Sequence, residues 1–231
     1  MIRFEHVSYR YLPSGPPALD DVSLRIEPEE IVGVLGVNGS GKTTLLRLCS
    51  GLMRQQEGIV EVGGRTTPQD VRSVVALEPD DAGVYPYLTV AEAGEFLGQA
   101  LPAWDRERWS ELCELLGLPL QRRPAELSKG QRSRVRLAQA LSQRLPVLLL
   151  DEPLAGIDLP SRERIARSLA ADFAARPRTV LLATHEIAEI EGLFGRVIVL
   201  DEGRVAVDAS ADDLRTASAG SIQDFLRRGE W

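Results

Sequence analysis

The sequence predicts an α/β protein with a mainly parallel core sheet, an antiparallel β subdomain and an α-helical insertion. Three observations predict it. Short apolar runs at Ile31 to Leu35, Val147 to Leu150 and Thr179 to Ala183 lack the polar alternation of a half-exposed strand, so they read as strands buried on both faces. Between the last two lies a helical pattern, Ile165, Leu169 and Phe173 at i, i+4 and i+8; buried strands alternating with helices imply parallel pairing. From Thr89 to about Leu145 the periodicity is helical throughout, punctuated by Pro102, Pro119 and Pro124.

Taken in order, the first 30 residues alternate (Ile2, Phe4, Val7, Tyr9, Tyr11, then Leu19, Val22, Leu24, Ile26) around a turn at Pro13-Ser14-Gly15-Pro16-Pro17, which predicts two strands. The run Thr44 to Leu52 is a helix following the strand Ile31 to Leu35. Gly58 to Val62 with Gly63-Gly64-Arg65 predicts a short strand and hairpin, and Val71 to Leu77 a further strand. The tail gives a strand at Val197 to Leu200, a turn at Asp201-Glu202-Gly203 and a strand at Val205 to Val207. A small closing helix follows, with Ser221 and Asp224 at capping-box spacing. Without repeat, low-complexity segment or long linker, residues 1–231 are expected to form one unit, with a helical part over about 88–145.

Composition narrows the function. At 231 residues and 44% hydrophobic the chain buries a sizeable core, and it has neither an apolar run of about 18 residues nor a signal-peptide segment at its start. It is therefore expected in the cytoplasm, reaching a membrane only through a partner. A net charge of −7 argues against a nucleic-acid partner. The two cysteines, Cys49 and Cys113, lack metal spacing and sit among apolar residues of expected helices, as buried inert thiols do.

The chemistry concentrates at Gly36-Val37-Asn38-Gly39-Ser40-Gly41-Lys42-Thr43, which fits G-x-x-x-x-G-K-[ST] between a strand and a helix. Backbone N–H groups and the positive helix end face phosphates there, Lys42 reaches β- and γ-oxygens, and the Thr43 hydroxyl ligates Mg²⁺. Of 27 basic residues only Lys42 and Lys129 are lysine. Lys42 occupies a place where a compact ammonium fits between phosphates and a planar guanidinium does not. Four apolar residues lead into Asp151-Glu152, so a second strand delivers Asp151 for Mg²⁺ and Glu152 to deprotonate or orient the attacking water.

These motifs, with Leu127-Ser128-Lys129-Gly130-Gln131 placed 20 residues before Asp151, resemble the nucleotide-binding domain of the ATP-binding cassette (ABC) superfamily of P-loop NTPases over essentially the whole chain. The pentapeptide is similar to that family's LSGGQ signature, with Lys129 where glycine is usual, and a helix is expected from Gln131. The resemblance implies that ATP is held by Tyr11 on the adenine and by Gly36, Asn38, Gly39, Ser40, Gly41, Lys42, Thr43 and Thr44 on the phosphates. Ser128, Gly130 and Gln131 of the signature loop would close on the γ-phosphate. Tyr9 is expected to face the core. His185 matches the switch histidine, Leu154-Ala155-Gly156-Ile157-Asp158 the D-loop, and Asp80 stands where a Mg²⁺-sensing glutamine is usual. Catalysis is thereby assigned to Glu152, His185 and Lys42, and Mg²⁺ to Thr43, Asp80 and Asp151.

The resemblance further implies a homodimer or heterodimer that sandwiches ATP, and a transmembrane permease docked near Asp80 to Val90, with Tyr85-Pro86-Tyr87 as anchors. The expected place is peripheral, on the inner face of the cell membrane. Trp104-Asp105, the run Asp151 to Asp158 and Gly220-Ser221-Ile222 resemble exporter-type, multidrug-like bacterial subunits. The competing expectations are a soluble cassette ATPase acting on ribosomes or DNA, and an ATP-binding regulator with weak hydrolysis.

Overall fold

The computed structural model describes residues 1–78, 85–218 and 220–228. In chain order the elements are β1 (Ile2–Tyr9), β2 (Leu19–Ile26), β3 (Ile31–Leu35), α1 (Lys42–Cys49), β4 (Glu57–Val62), α2 (Pro68–Val71), β5 (Val75–Glu78), α3 (Val90–Ala100), α4 (Arg106–Leu115) and α5 (Lys129–Leu141). They continue as β6 (Val147–Asp151), α6 (Leu159–Ala175), β7 (Thr179–Thr184), β8 (Arg196–Asp201), β9 (Arg204–Ser210), α7 (Ala211–Ala217) and α8 (Ile222–Arg228).

A six-stranded sheet in the order β5-β6-β7-β3-β8-β9 carries the site. Its first five strands are parallel, and β9 closes it as the antiparallel arm of the expected C-terminal hairpin. Every residue of β6 and β7 is buried, as strands covered on both faces require. Leu148 and Leu150 point to a core shared with the helices, and Val147 and Leu149 to a second core under the other sheet, following the two-residue pleat. That other sheet is antiparallel, in the order β2-β1-β4. The apolar alternation of β1 changes phase between Phe4 and Val7. The register shifts there and His6 takes a φ of 50°, so the bulge restores inward pointing.

Four local expectations need correction. Val71 does not begin a strand: the Thr67 hydroxyl caps, and Pro68 opens, a helical turn that ends at Val71, and β5 starts at Val75. The hairpin after Val62 reduces to one bridge, Val62 to Arg65, because β4 pairs with β1. The signature helix α5 starts at Lys129 instead of Gln131, since Ser128 is its N-cap and Gln131 its third residue, each side chain bonding the other's backbone N–H. Near the end, Ser210 caps an unforeseen helix, α7. The Ser221 hydroxyl accepts from the Gln223 N–H and donates to Glu191 in place of a box with Asp224.

The helical part is tied to the core by charge as well as by apolar packing. The Asp172 carboxylate, on α6, is 1% exposed and pairs at 2.7 Å with both Arg108 of α4 and Arg178. Asp105, which caps α4, pairs with Arg144 at 2.8 Å and Arg176 at 3.4 Å. Among the described residues no helix is long and apolar enough to cross a membrane.

Two outcomes follow from these buried groups. Replacing Asp172 with Ala takes the carboxylate from the buried Arg178 guanidinium and leaves Arg108 with Glu111, and should lower unfolding stability by about 3–5 kcal/mol, read by urea denaturation; a variant as stable as the parent would contradict the pairing. Burial raises the Cys113 thiol to about 11 and the Cys49 thiol further still, so both stay protonated near neutral pH. A disulfide exchange reagent at about pH 8 should leave both untouched until denaturant is added.

Candidate functional site

The turn from β3 into α1 is built from backbone that only glycine accepts. Gly36, Gly39 and Gly41 have φ of 147°, 87° and 106°. A Cβ on Gly36 would stand 2.3 Å from the Leu200 carbonyl oxygen, and one on Gly41 2.4 Å from that of Ala18, whereas Gly39 faces open space. Gly41, the N-cap of α1, offers no side chain to the first-turn N–H groups, which leaves them directed at the cleft. The Lys42 ammonium donates to the carbonyls of Gly36 at 2.8 Å and Val37 at 3.0 Å, curling the loop around itself. Burial lowers its pKa, and the Glu152 and Asp151 carboxylates oppose that shift. The Ser40 hydroxyl lies buried beneath the loop with no hydrogen-bond partner among the described residues. First-turn N–H groups directed at the cleft and one buried ammonium fit a phosphate chain.

Two strands to the side, β6 ends on Asp151, which is 6% exposed. Glu152 then turns into left-handed backbone at φ 53°. Its N–H continues the parallel pairing by donating to the Ala183 carbonyl at 2.8 Å. Three donors grip its carboxylate: the Thr184 hydroxyl at 2.9 Å on Oε2, and on Oε1 the His185 backbone N–H at 3.1 Å and ring Nδ1 at 2.7 Å. Because β7 lies between β6 and β3, its exit at Thr184 and His185 stands beside both the carboxylate pair and the phosphate turn.

A cleft of about 540 Å³ opens over these groups. Tyr11, Asn38, Gly39, Gly41, Lys42, Thr43, Thr44, Asp151 and Glu152 line it. Tyr11 is 54% exposed, its hydroxyl 3.2 Å from that of Thr44, and its ring meets Tyr9 edge-on at 5.2 Å. Tyr9 is half-buried against the core, as expected. Gly36 and Ser40 lie behind the turn, and His185 touches the cleft through Glu152.

Ser128, Gly130 and Gln131 are not in this cleft. They stand at the start of α5 against the turn Leu154 to Asp158: a Cβ on Gly130 would come 2.8 Å from the Gly156 carbonyl, and the Ser133 hydroxyl donates to Ala155 at 3.0 Å. Asp80 lies outside the described residues. Residues with no earlier signal include Thr184, which grips Glu152, and Leu12, Pro16, Pro17 and Ala18, which line the cleft beyond Tyr11. The Pro-rich turn was legible as a turn, and nothing in its composition distinguished a wall from a linker.

A glycine-built anion cradle at a strand-to-helix turn, beside a strand delivering two carboxylates, defines a P-loop nucleotide-binding protein. The comparisons agree with that class and narrow it. The chain belongs to the ABC transporter family, which it matches over residues 19–155. It is 38% identical over 214 residues to the Fe(3+) ions import ATP-binding protein FbpC of Streptomyces coelicolor, covering 89% of this chain and spanning 61% of the relative. To the methionine import ATP-binding protein MetN of Caulobacter vibrioides it is 34% identical over 243 residues, covering 100% of this chain and 73% of the relative. The dimeric post-hydrolysis structure of the ATP-binding cassette MJ0796, bound to ADP and Pi, superposes with a TM-score of 0.83 at 26% identity, covering 91% of this chain and 99% of that one. Both relatives are named for import, so the exporter-type branch expected from Trp104-Asp105 and its companions finds no support in them.

The glycine geometry separates two substitutions. Gly41→Ala meets the Ala18 carbonyl and should weaken Mg-ATP uptake at least about 100-fold in equilibrium dialysis. Gly39→Ala meets only an unfavourable φ, costing about 1–3 kcal/mol, and should retain the fold with a smaller loss. Equal losses in the two variants would contradict the steric distinction.

Proposed function

We propose that the chain binds and hydrolyses ATP with Mg²⁺ and thereby drives a membrane transporter through a transmembrane permease, as one member of a pair of such subunits on the cytoplasmic face. One observation carries the reading: the phosphate turn, Asp151-Glu152 and His185 leave three adjacent parallel strands at one edge of the sheet. The import names of the FbpC and MetN relatives favour an importer over the exporter-type reading, while cargo is a property of the permease.

In this reading Tyr11 stacks on the base, and the N–H groups of the Gly36 to Thr44 turn hold the phosphates. The Lys42 ammonium exchanges the carbonyls of Gly36 and Val37 for β- and γ-oxygens. Thr43 and Asp151, hard oxygen donors lining the same cleft, would hold Mg²⁺, which neutralises charge developing on the phosphoryl oxygens. Glu152 accepts a proton from the attacking water, and its three donors fix the carboxylate's direction before water arrives. His185 is bonded to Glu152 through Nδ1, and its other ring nitrogen can donate to the γ-phosphate when both nitrogens carry a proton. Ser128, Gly130 and Gln131 are absent from their own chain's cleft, so a second copy or a sister subunit completes it. The Ser128 hydroxyl accepts one cap bond and retains its proton for donation. The exposed Tyr87, with Tyr85 stacked edge-on against Phe96 at 5.1 Å, presents aromatic surface for the permease.

Glu152→Gln keeps the shape and removes the base. Steady-state turnover should fall about 10²- to 10⁴-fold while Mg-ATP binding persists and ATP-dependent dimers accumulate in sedimentation. Turnover unchanged by that substitution would refute the assignment.

A further inference from the structure

Arg162 stands in the first turn of α6, at the positive end of the helix dipole, where a cation is disfavoured. Its contacts explain the position. The Nε–H donates to the Ile157 carbonyl at 2.7 Å, and NH1 pairs with the Glu186 carboxylate at 2.5 Å, with the side chain 19% exposed. One planar guanidinium thus joins the turn Leu154 to Asp158 to the residue that follows His185. From there the path continues without a gap. The Glu186 N–H donates to the Thr184 hydroxyl at 3.0 Å, and that hydroxyl donates to Glu152 Oε2 at 2.9 Å. The hydroxyl accepts from the Glu186 N–H and has one proton for two acceptors, Glu152 Oε2 at 2.9 Å and the Glu186 carbonyl at 3.1 Å, so the placement of Glu186 bears on which of them it serves. The same turn is gripped from its other side by α5, through Ser133 on Ala155 and the close approach of Gly130 to Gly156.

We propose that Arg162 is a positioning residue that fixes the grip of Thr184 and His185 on the Glu152 carboxylate by anchoring Glu186 to the turn at Ile157. Displacement of that turn is felt at the general base, so hydrolysis is set by a group that never touches nucleotide. The inference rests on the hydrolytic role given to Glu152 above. The fork geometry is what the site needs: lysine pairs with Glu186 as a point charge and does not hold both acceptors in one plane.

The test uses Arg162→Ala, Arg162→Lys, Glu186→Gln and the Arg162→Ala/Glu186→Gln double variant, in the full chain. The first readout needs no turnover. The chain has two histidines, His6 and His185, so in the nucleotide-free protein the ring carbon–proton signal of His185 should move in Arg162→Ala while that of His6, remote on β1, stays as an internal check of folding. The second readout separates binding from chemistry. Arg162→Ala should bind a fluorescent ATP analogue within about twofold of wild type yet turn over about tenfold more slowly or worse. Arg162→Lys should recover part of the loss, and the double variant should be no slower than the slower single one, because both changes cut the same path. An unmoved His185 signal, unchanged turnover in Arg162→Ala, or losses that add in the double variant would each overturn the proposal. Wild-type protein that binds ATP without hydrolysing it would instead count against the catalytic reading of Glu152, and the His185 signal would still decide whether the path exists.

Discussion

The constraint on which the site depends is the parallel pairing of β6, β7 and β3. Parallel strands all point one way, so the residues that leave them meet at a common edge, and here those residues are Glu152, His185 and Gly36. The pairing is possible because the middle of β6 and β7 carries only apolar side chains: Leu148, Leu149, Leu150, Leu181 and Leu182 are fully buried. Each such side chain contributes about 1.5–3 kcal/mol on removal from water. That apolar slab holds the polar groups at its rim in strained or desolvated states they would not otherwise adopt.

Two rim positions show the exchange. Glu152 occupies left-handed backbone at φ 53°, a conformation that costs a non-glycine residue about 1–3 kcal/mol. Three hydrogen bonds to its carboxylate and one from its own N–H offset that cost, each charge-assisted bond contributing about 1.5–3 kcal/mol. At the end of β3, two strands away, the cost is avoided by composition, since Gly36 and Gly41 accept positive φ and leave room for the carbonyls of Leu200 and Ala18. The rest of the chain serves these positions. The β2-β1-β4 sheet supports Tyr11 just past the end of β1, and the Asp172 ion pairs lock α4 to α6, whose first turn carries Arg162.

Much of this was legible in the sequence, and the reasons differ by element. Fully apolar runs made β3, β6 and β7 readable, and G-x-x-x-x-G-K-T made the cradle readable because its spacing is dictated by backbone geometry. Boundaries set by a single cap were harder: Thr67 with Pro68 displaced the start of β5, and Ser128 moved the start of α5 by two residues. Long-range polar contacts left no pattern at all. Thr184 and Glu152 are 32 residues apart, and Arg162 and Glu186 are 24 apart, so neither pair produces a periodic signal. The separation of Ser128, Gly130 and Gln131 from the cleft is likewise a fact of topology, and the proposed pairing of two chains rests on it.

In the function proposed here, residues 36–44 wrap a nucleoside triphosphate with Lys42 as its mobile cation. A crystal structure with Mg²⁺ and a non-hydrolysable ATP analogue tests it most directly. Phosphate oxygens are expected within hydrogen-bond reach of the turn's N–H groups, with the Lys42 ammonium withdrawn from the Gly36 and Val37 carbonyls to meet them and Ser128 of a second subunit across the γ-phosphate. An analogue bound elsewhere, with Lys42 still bonded to its own loop, would contradict it.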